Sequence, residues 1–374
     1  MRIETKAIHA GMEVANPGKD IVPPISTSTI FEIDPEGRNE DDLHYTRLGN
    51  PNRLQLEHLL TELEEGEAAA AFSSGVAAAT AVFQALNPGD HILIPEDVYA
   101  GNRKLVNKVM VRWGLEADFI PMTDVDIIED SIRSNTRLIW IESPSNPMMR
   151  ITDIEAVSEL AHSKDILICV DNTWPSPMNQ QPLKLGADLV LHSTTKYLGG
   201  HSDILGGAIV SKHNGRIFQR IQEIQRLTGG VPSPRDCWLL CRSIRSLPYR
   251  MRGHNENAEH LARFLQNHSR IEKVFYPGLA THAGHEIAEK QMSGFGGMIS
   301  FLITGDKEEA ITIVGRSRLI KRATSLGGIE STWEHRRSSE GEGSITPENL
   351  IRISVGLEHP DDLMEDLENA LADV

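Results

Sequence analysis

The sequence predicts an α/β fold: a mostly parallel central sheet covered by helices, followed by a smaller α+β domain. Two observations carry this. Short apolar runs recur (HILIP at 91–95, RLIWI at 137–141, ILICV at 166–170, LVLHS at 189–193, GGAIV at 206–210), with helical segments such as DIEAVSELAHSK between several of them. Strands alternating with helices pair in parallel and are covered on both faces, so they read as continuous apolar runs. After about residue 233 the order changes to helices and separate strand-like runs, which marks a second unit. A chain of 374 residues suits two or three domains and a large core.

Taken in order, residues 1–47 form an N-terminal arm. They are rich in Pro, Thr and Ser (PPISTSTIF) and poorly periodic, so they read as extended chain. The α/β domain spans 48–232. It opens with RLQLEHLLTELEEG, whose Leu56, Leu59, Leu60 and Leu63 share a helical face that stops at Gly66. A small-residue helix, GVAAATAVFQAL, follows and closes at a Pro-Gly turn. RIFQRIQEIQRLTGG is a long helix ending at Gly229-Gly230, and VPSPRD breaks it. The α+β domain spans 233–374: helix over 235–269, strand-like GGMISFLI, a helix near 307–315, strand-like LIRISVGL and a terminal helix, DDLMEDLENAL.

Composition narrows the function. There are 37 Lys plus Arg against 53 Asp plus Glu, a formal charge of −16, which argues against non-specific nucleic-acid binding. The three cysteines, Cys169, Cys237 and Cys241, have neither disulfide parity nor zinc-ligand spacing and read as buried thiols of a reducing cytosol. No signal-peptide layout and no membrane-length apolar run occurs, so a cytoplasmic protein with no membrane partner and no metal is expected.

Ligands of open parallel sheets bind at the carboxyl ends of the strands. RLIWI runs into Glu142-Ser143-Pro144-Ser145-Asn146, ILICV into Asp171-Asn172-Thr173, and LVLHS into Thr194-Thr195-Lys196. A lone lysine there is usually a surface side chain. Paired with a carboxylate at a second strand end, it matches the needs of a pyridoxal cofactor: an amine for its aldehyde and an acid for its ring nitrogen. Ser73-Ser74-Gly75-Val76 precedes a helix whose free amides suit a phosphate, and Ser193 and Thr195 flank Lys196 with hydroxyls. Either feature alone is also an ordinary cap or local backbone contact. Tyr99, just past HILIP, suits stacking on a planar ring or simple packing at the rim. Arg47, in HYTRLGNP, suits an anion or an exposed turn.

With those residues in place, the chain resembles the pyridoxal-phosphate enzymes of cysteine and methionine metabolism: cystathionine γ-synthases, cystathionine γ- and β-lyases and methionine γ-lyases. IHAG, PPISTSTIF, YTRLGNP, FSSGVAA, ESPSNP, DNT, HSTTKYLGGHSD, GVPSP, YPGL, GGMISF, SLGGIES and RISVGLE fall in the family's order over almost the whole chain. The resemblance implies the aminotransferase-like fold type I, with 48–232 as the domain that binds pyridoxal 5'-phosphate (PLP). It implies Lys196 as the Schiff-base and proton-transfer residue, Asp171 on the pyridinium nitrogen and Tyr99 on the ring. Gly75, Val76, Ser193 and Thr195 would hold the phosphate. Tyr45 and Arg47 would reach the phosphate of a neighbouring subunit, giving a dimer with shared sites, paired into a homotetramer. Asn146, Ser325 and Arg352 match positions that bind the cofactor hydroxyl or the substrate α-carboxylate.

Departures cluster around the substrate. Thr324 and His44 stand where γ-lyases carry acids, Gly101 where methionine γ-lyases carry cysteine, and Arg103 or Lys104 substitutes for a displaced distal-carboxylate arginine. The segment at 334–349 is shortened. The implied activity is a carbon–sulfur lyase acting on cystathionine or related sulfur amino acids by γ- or β-elimination. The alternatives are a γ-synthase-type replacement on an O-acylhomoserine and, in a different class, a non-catalytic PLP-bound sensing homologue.

Overall fold

The computed structural model describes residues 1–33, 35, 43–340 and 344–372. Residues 34 and 36–42 of the expected arm, and 341–343 of the shortened segment, lie outside the described residues. The first sheet has seven strands: β1 (Ala68–Phe72), β2 (His91–Pro95), β3 (Glu116–Ile120), β4 (Thr136–Glu142), β5 (Leu167–Asp171), β6 (Leu189–His192) and β7 (Gly207–Ser211). Their order is β1-β7-β6-β5-β4-β2-β3. β7 runs antiparallel to both neighbours and the other pairings are parallel, so the sheet is mostly parallel.

Both faces are covered. Successive strand residues point to opposite sides. On β4, Ile139 and Ile141 pack with Leu56, Leu59, Leu60 and Leu63 of helix Pro51–Glu64, while Leu138 and Trp140 pack with Val82 and Phe83 of helix Gly75–Gln84. Helix Pro51–Glu64 starts where its sequence allows: Asn50 accepts a hydrogen bond from the Asn52 amide, and Pro51 occupies a first-turn position that needs no donor. Helix Arg216–Thr228 ends on Gly229 at φ +74.

β1 and β3 escaped the sequence reading. AAAAF favours helix by propensity. Here it pairs antiparallel with β7 and is buried from Ala69 to Phe72. EADFI is half-buried at the sheet edge and lacks the continuous apolar run of the inner strands.

The second sheet has order β10-β11-β12-β9-β8, from β8 (Ile271–Phe275), β9 (Met298–Ile303), β10 (Lys321–Arg322), β11 (Thr332–His335) and β12 (Leu350–Ser354). It is antiparallel except for the short β10–β11 pair. The region expected as one helix over 235–269 is two, Pro234–Ile244 and Leu247–Gln266, with Pro248 in the first turn of the second. The core does not change at 233. Cys237, Leu240 and Ile244 pack with the first sheet's core, as do Leu247 and Met251. Ala258, Leu261 and Leu265, further along the same helix, pack with the second sheet. Helix Leu247–Gln266 therefore belongs to both cores.

The expected arm also begins differently. Ile3–His9 is a helix, Ala7 is buried against helix Pro51–Glu64, and Lys6 donates 3.1 Å to the Glu62 carbonyl. From 10 to 33 the chain has no regular helix; Ile30 makes an isolated bridge to Tyr45.

Leu60, on helix Pro51–Glu64, is fully buried in the core beneath the first sheet, whereas Leu227 is 68% exposed. Leu60→Ala should lower stability by about 2–5 kcal/mol. Leu227→Ala should stay within about 0.5 kcal/mol of the parent. Urea unfolding of the two variants checks the difference.

Candidate active site

The carboxyl ends of β4, β5 and β6 open into a cavity of about 240 Å³. Of the residues singled out from sequence, Gly75, Val76, Tyr99, Asn146, Asp171, Ser193, Thr195, Lys196, Thr324, Ser325 and Arg352 line it. His44, Tyr45 and Arg47 do not. The Arg47 guanidinium donates to the Arg226 carbonyl, and Tyr45 is 41% exposed. Arg103 and Lys104 line a neighbouring cavity instead, where Arg103 donates to the Glu96 carbonyl and lies over the Phe119 ring.

Strand register sets the acid pair. Glu142 ends β4 directly opposite Asp171 at the end of β5. Asp171 Oδ1 accepts from the Thr173 hydroxyl at 2.5 Å and the Thr173 amide at 3.1 Å; Oδ2 has no hydrogen-bond partner among the described residues. Burial raises the Asp171 pKa, against the Thr173 hydrogen bonds and the His192 and Lys196 charges. Burial, then the Asp171 charge, pushes Glu142 well above the usual carboxylate range. Of the pair, Glu142 is the one to hold a proton and Asp171 the one to carry charge. Glu142 also accepts the Tyr99 amide at 2.9 Å, fixing the backbone beneath that ring.

Lys196 lies four residues past β6, and its Nζ is 2.5 Å from Ser325 Oγ. Burial lowers its pKa to about 8, helped by the charges of Arg352 and Arg336 and opposed by Glu334 and Asp171. The Ser325 turn is held tightly against it. Ser325 has φ +83, a left-handed backbone that costs a non-glycine residue energy. Gly327 has φ +77, and a Cβ there would stand 2.7 Å from the Tyr197 amide nitrogen.

The Gly75 and Val76 amides open helix Gly75–Gln84, where backbone donors have no intrahelical partner. Ser74 caps the helix by accepting from the Ala77 amide at 3.1 Å. A Cβ on Gly75 would come within 2.9 Å of Ser193 Cβ, so only glycine lets this helix end approach the Ser193 hydroxyl.

The second sheet forms the opposite wall. Arg352, on β12, is 3% exposed; it donates 2.8 Å to Asn146 Oδ1, 3.1 Å to the Ser325 carbonyl, and to Glu334 Oε1. Glu334 faces Arg352 across the β11–β12 ladder. Its Oε1 also accepts from Arg336, which lines the cavity too. Sequence reasoning assigned no role to Glu142, Thr173, Trp174, Arg336 or Glu334. The strand-end rule that found Asp171 also places Glu142 and Thr173 on the rim, without giving them a role. Trp174 follows Thr173 at the same strand end, whereas Arg336 and Glu334 show no signal before the second sheet is placed.

Residues 4–372 match the family of Cys/Met metabolism PLP-dependent enzymes. The chain belongs to that family. It is 44% identical over 375 residues to the cystathionine γ-synthase of Mycobacterium leprae, covering 99% of this chain and 96% of the relative. It is 43% identical over 384 residues to the cystathionine γ-lyase of Bacillus subtilis, covering 100% of both. Among solved structures, metB from Corynebacterium glutamicum superposes with a TM-score of 0.96 at 42% identity, covering 99% of this chain and 98% of the other.

As a Cys/Met metabolism PLP-dependent enzyme the chain uses PLP, and its cavity fits that group. It offers an amine of lowered pKa on Lys196, a carboxylate oxygen without a partner on Asp171, and a helix end with open amides that a Cβ would block. Lys196 can attack an aldehyde only when neutral. Capture of PLP by the apoenzyme should therefore accelerate with pH through a midpoint near 8 and level off above it, where the amine is neutral. An unperturbed lysine would keep accelerating to about 10.4. Arg352→Gln removes a charge that lowers this pKa and should move the midpoint up. Stopped-flow absorbance from about pH 6 to about pH 10 reads both.

Proposed function

We propose that this enzyme is a carbon–sulfur lyase that cleaves cystathionine or a related sulfur amino acid by γ- or β-elimination. The observation that carries the reading is the convergence of Lys196 Nζ, Ser325 and the Arg352 guanidinium on one wall of the PLP cavity. Bound PLP supplies an electron sink for a carbanion next to the substrate nitrogen. Arg352, fixed by Asn146 and the Ser325 carbonyl, binds the α-carboxylate and so fixes which bond at Cα faces Lys196. Lys196, neutral above about pH 8, takes the Cα proton and returns protons at later atoms, and Ser325 Oγ steers its amine. Asp171 stays ionised to hold a protonated ring nitrogen, Tyr99 covers the ring, and the Gly75 and Val76 amides with Ser193 and Thr195 hold the phosphate. Thr324, at the exposed edge of the cavity, meets the distal end of the substrate.

A second reading is γ-replacement on an O-acylhomoserine, supported by the 44% identity to a relative named as a cystathionine γ-synthase. Deprotonation at Cα and then Cβ serves both. Product analysis after incubation with cystathionine separates them. Cysteine with 2-oxobutyrate marks γ-elimination, the expected result, and homocysteine with pyruvate marks β-elimination. No cleavage, but cystathionine formed from an O-acylhomoserine and cysteine, marks replacement.

The same reading makes the enzyme a dimer with shared sites, paired into a homotetramer in the cytoplasm. Its support is that His44, Tyr45 and Arg47 stand outside their own chain's cavity, with Tyr45 exposed. Lys196→Ala alone should lose the cofactor absorbance band and nearly all turnover. Mixed with Arg47→Ala under conditions of subunit exchange, it should regain activity through hybrid dimers. Exchange without recovery would count against shared sites.

A further inference from the structure

We propose that Arg336 is a specificity residue that receives a distal carboxylate of the substrate; this rests on the amino-acid chemistry proposed above. Arg336 follows β11 directly, its side chain is 6% exposed, and it lines the PLP cavity. Nη1 donates 3.0 Å to Glu334 Oε1 and Nε 2.9 Å to Glu340 Oε1. Nη2 makes no hydrogen bond among the described residues. A buried guanidinium with an unused N–H edge on a cavity is a ready receptor for a planar carboxylate.

Its place in the wall gives the direction. Arg352 is tied to Asn146 and the Ser325 turn, at the Lys196 end. From there the chain of contacts runs Arg352, Glu334, Arg336, Glu340. Glu340 already lines the adjoining cavity, beyond the main one. An amino acid anchored on Arg352 by its α-carboxylate and extended along this wall brings a second carboxylate to Arg336. The two glutamates balance the two arginines, so the empty wall is close to neutral. They also fix the Arg336 fork at little entropy cost. Arg103, the sequence candidate for this role, is turned away onto the Glu96 carbonyl and the Phe119 ring. The competing role for Arg336 is a strut between Glu334 and Glu340 that no ligand touches.

The test titrates the holoenzyme, through its cofactor absorbance, with L-2-aminopimelate and L-2-aminoheptanoate. These have the same carbon count, differ only in the distal carboxylate, and carry no leaving group. The parent should bind the first about ten- to a hundredfold more tightly, the range of one charge-assisted hydrogen bond. Arg336→Gln should bring that ratio close to one. Arg336→Lys, which keeps the charge against both glutamates but lacks the fork, should retain part of it and carries the test if the glutamine variant does not fold. A parent that binds neither ligand or shows no preference, or an Arg336 variant with an unchanged ratio, would overturn the proposal and leave Arg336 a strut. Failure of the lyase reading would appear separately, as lack of turnover in the cystathionine experiment, with these binding ratios intact.

Discussion

Five carboxylate, amine and guanidinium side chains, Glu142, Asp171, Lys196, Arg336 and Arg352, face one cavity of about 240 Å³. Charges withdrawn from water must be paired or neutralised, and the site follows from how each one is. Arg352 and Arg336 share Glu334. Asp171 is held by Thr173. Glu142 moves toward its neutral form beside Asp171. Lys196, buried, with two arginine charges nearby and only a serine hydroxyl in hydrogen-bond contact, is pushed toward its neutral form. The amine proposed above as the nucleophile is thus the one of the three cations with no carboxylate in hydrogen-bond contact.

This balance is assembled from two sheets. The parallel register of β4 and β5 sets the acids side by side, and the chain leaving β5 and β6 brings the hydroxyls and Lys196 to the same rim. β11 and β12 bring Glu334 and Arg352 as a cross-strand pair. Helix Leu247–Gln266, packed into both cores, fixes the separation of the two groups.

Most of the first sheet was legible in the sequence because its inner strands are covered on both faces and so read as unbroken apolar runs. β1 was not, because four alanines carry no strand signal; only its pairing with β7 makes them one. The rim residues were legible because they follow strands, and the family motifs added Ser325 and Arg352. Arg336 and Glu334 were not legible. An Arg and a Glu in a charged stretch such as EHRRSSEGEG read as solvated surface; the β11–β12 ladder sets Glu334 opposite Arg352, and Arg336, just past β11, is held by Glu334. The start of the arm was misjudged for a related reason: a seven-residue helix with one buried alanine has too short a period to detect.

The division of labour between the sheets has an evolutionary consequence. Asp171, Ser193, Thr195 and Lys196 sit at or just past the ends of strands buried on both faces, so a change there readily disturbs packing as well as chemistry. Thr324, Arg336 and Glu340 sit on the segments between β10, β11 and β12, where a side chain can change without moving a core strand. On the roles proposed for Thr324 and Arg336, selection can retune which molecule is admitted with little change to the first sheet, and one ancestral scaffold can diverge in substrate preference through a short stretch of chain between core strands.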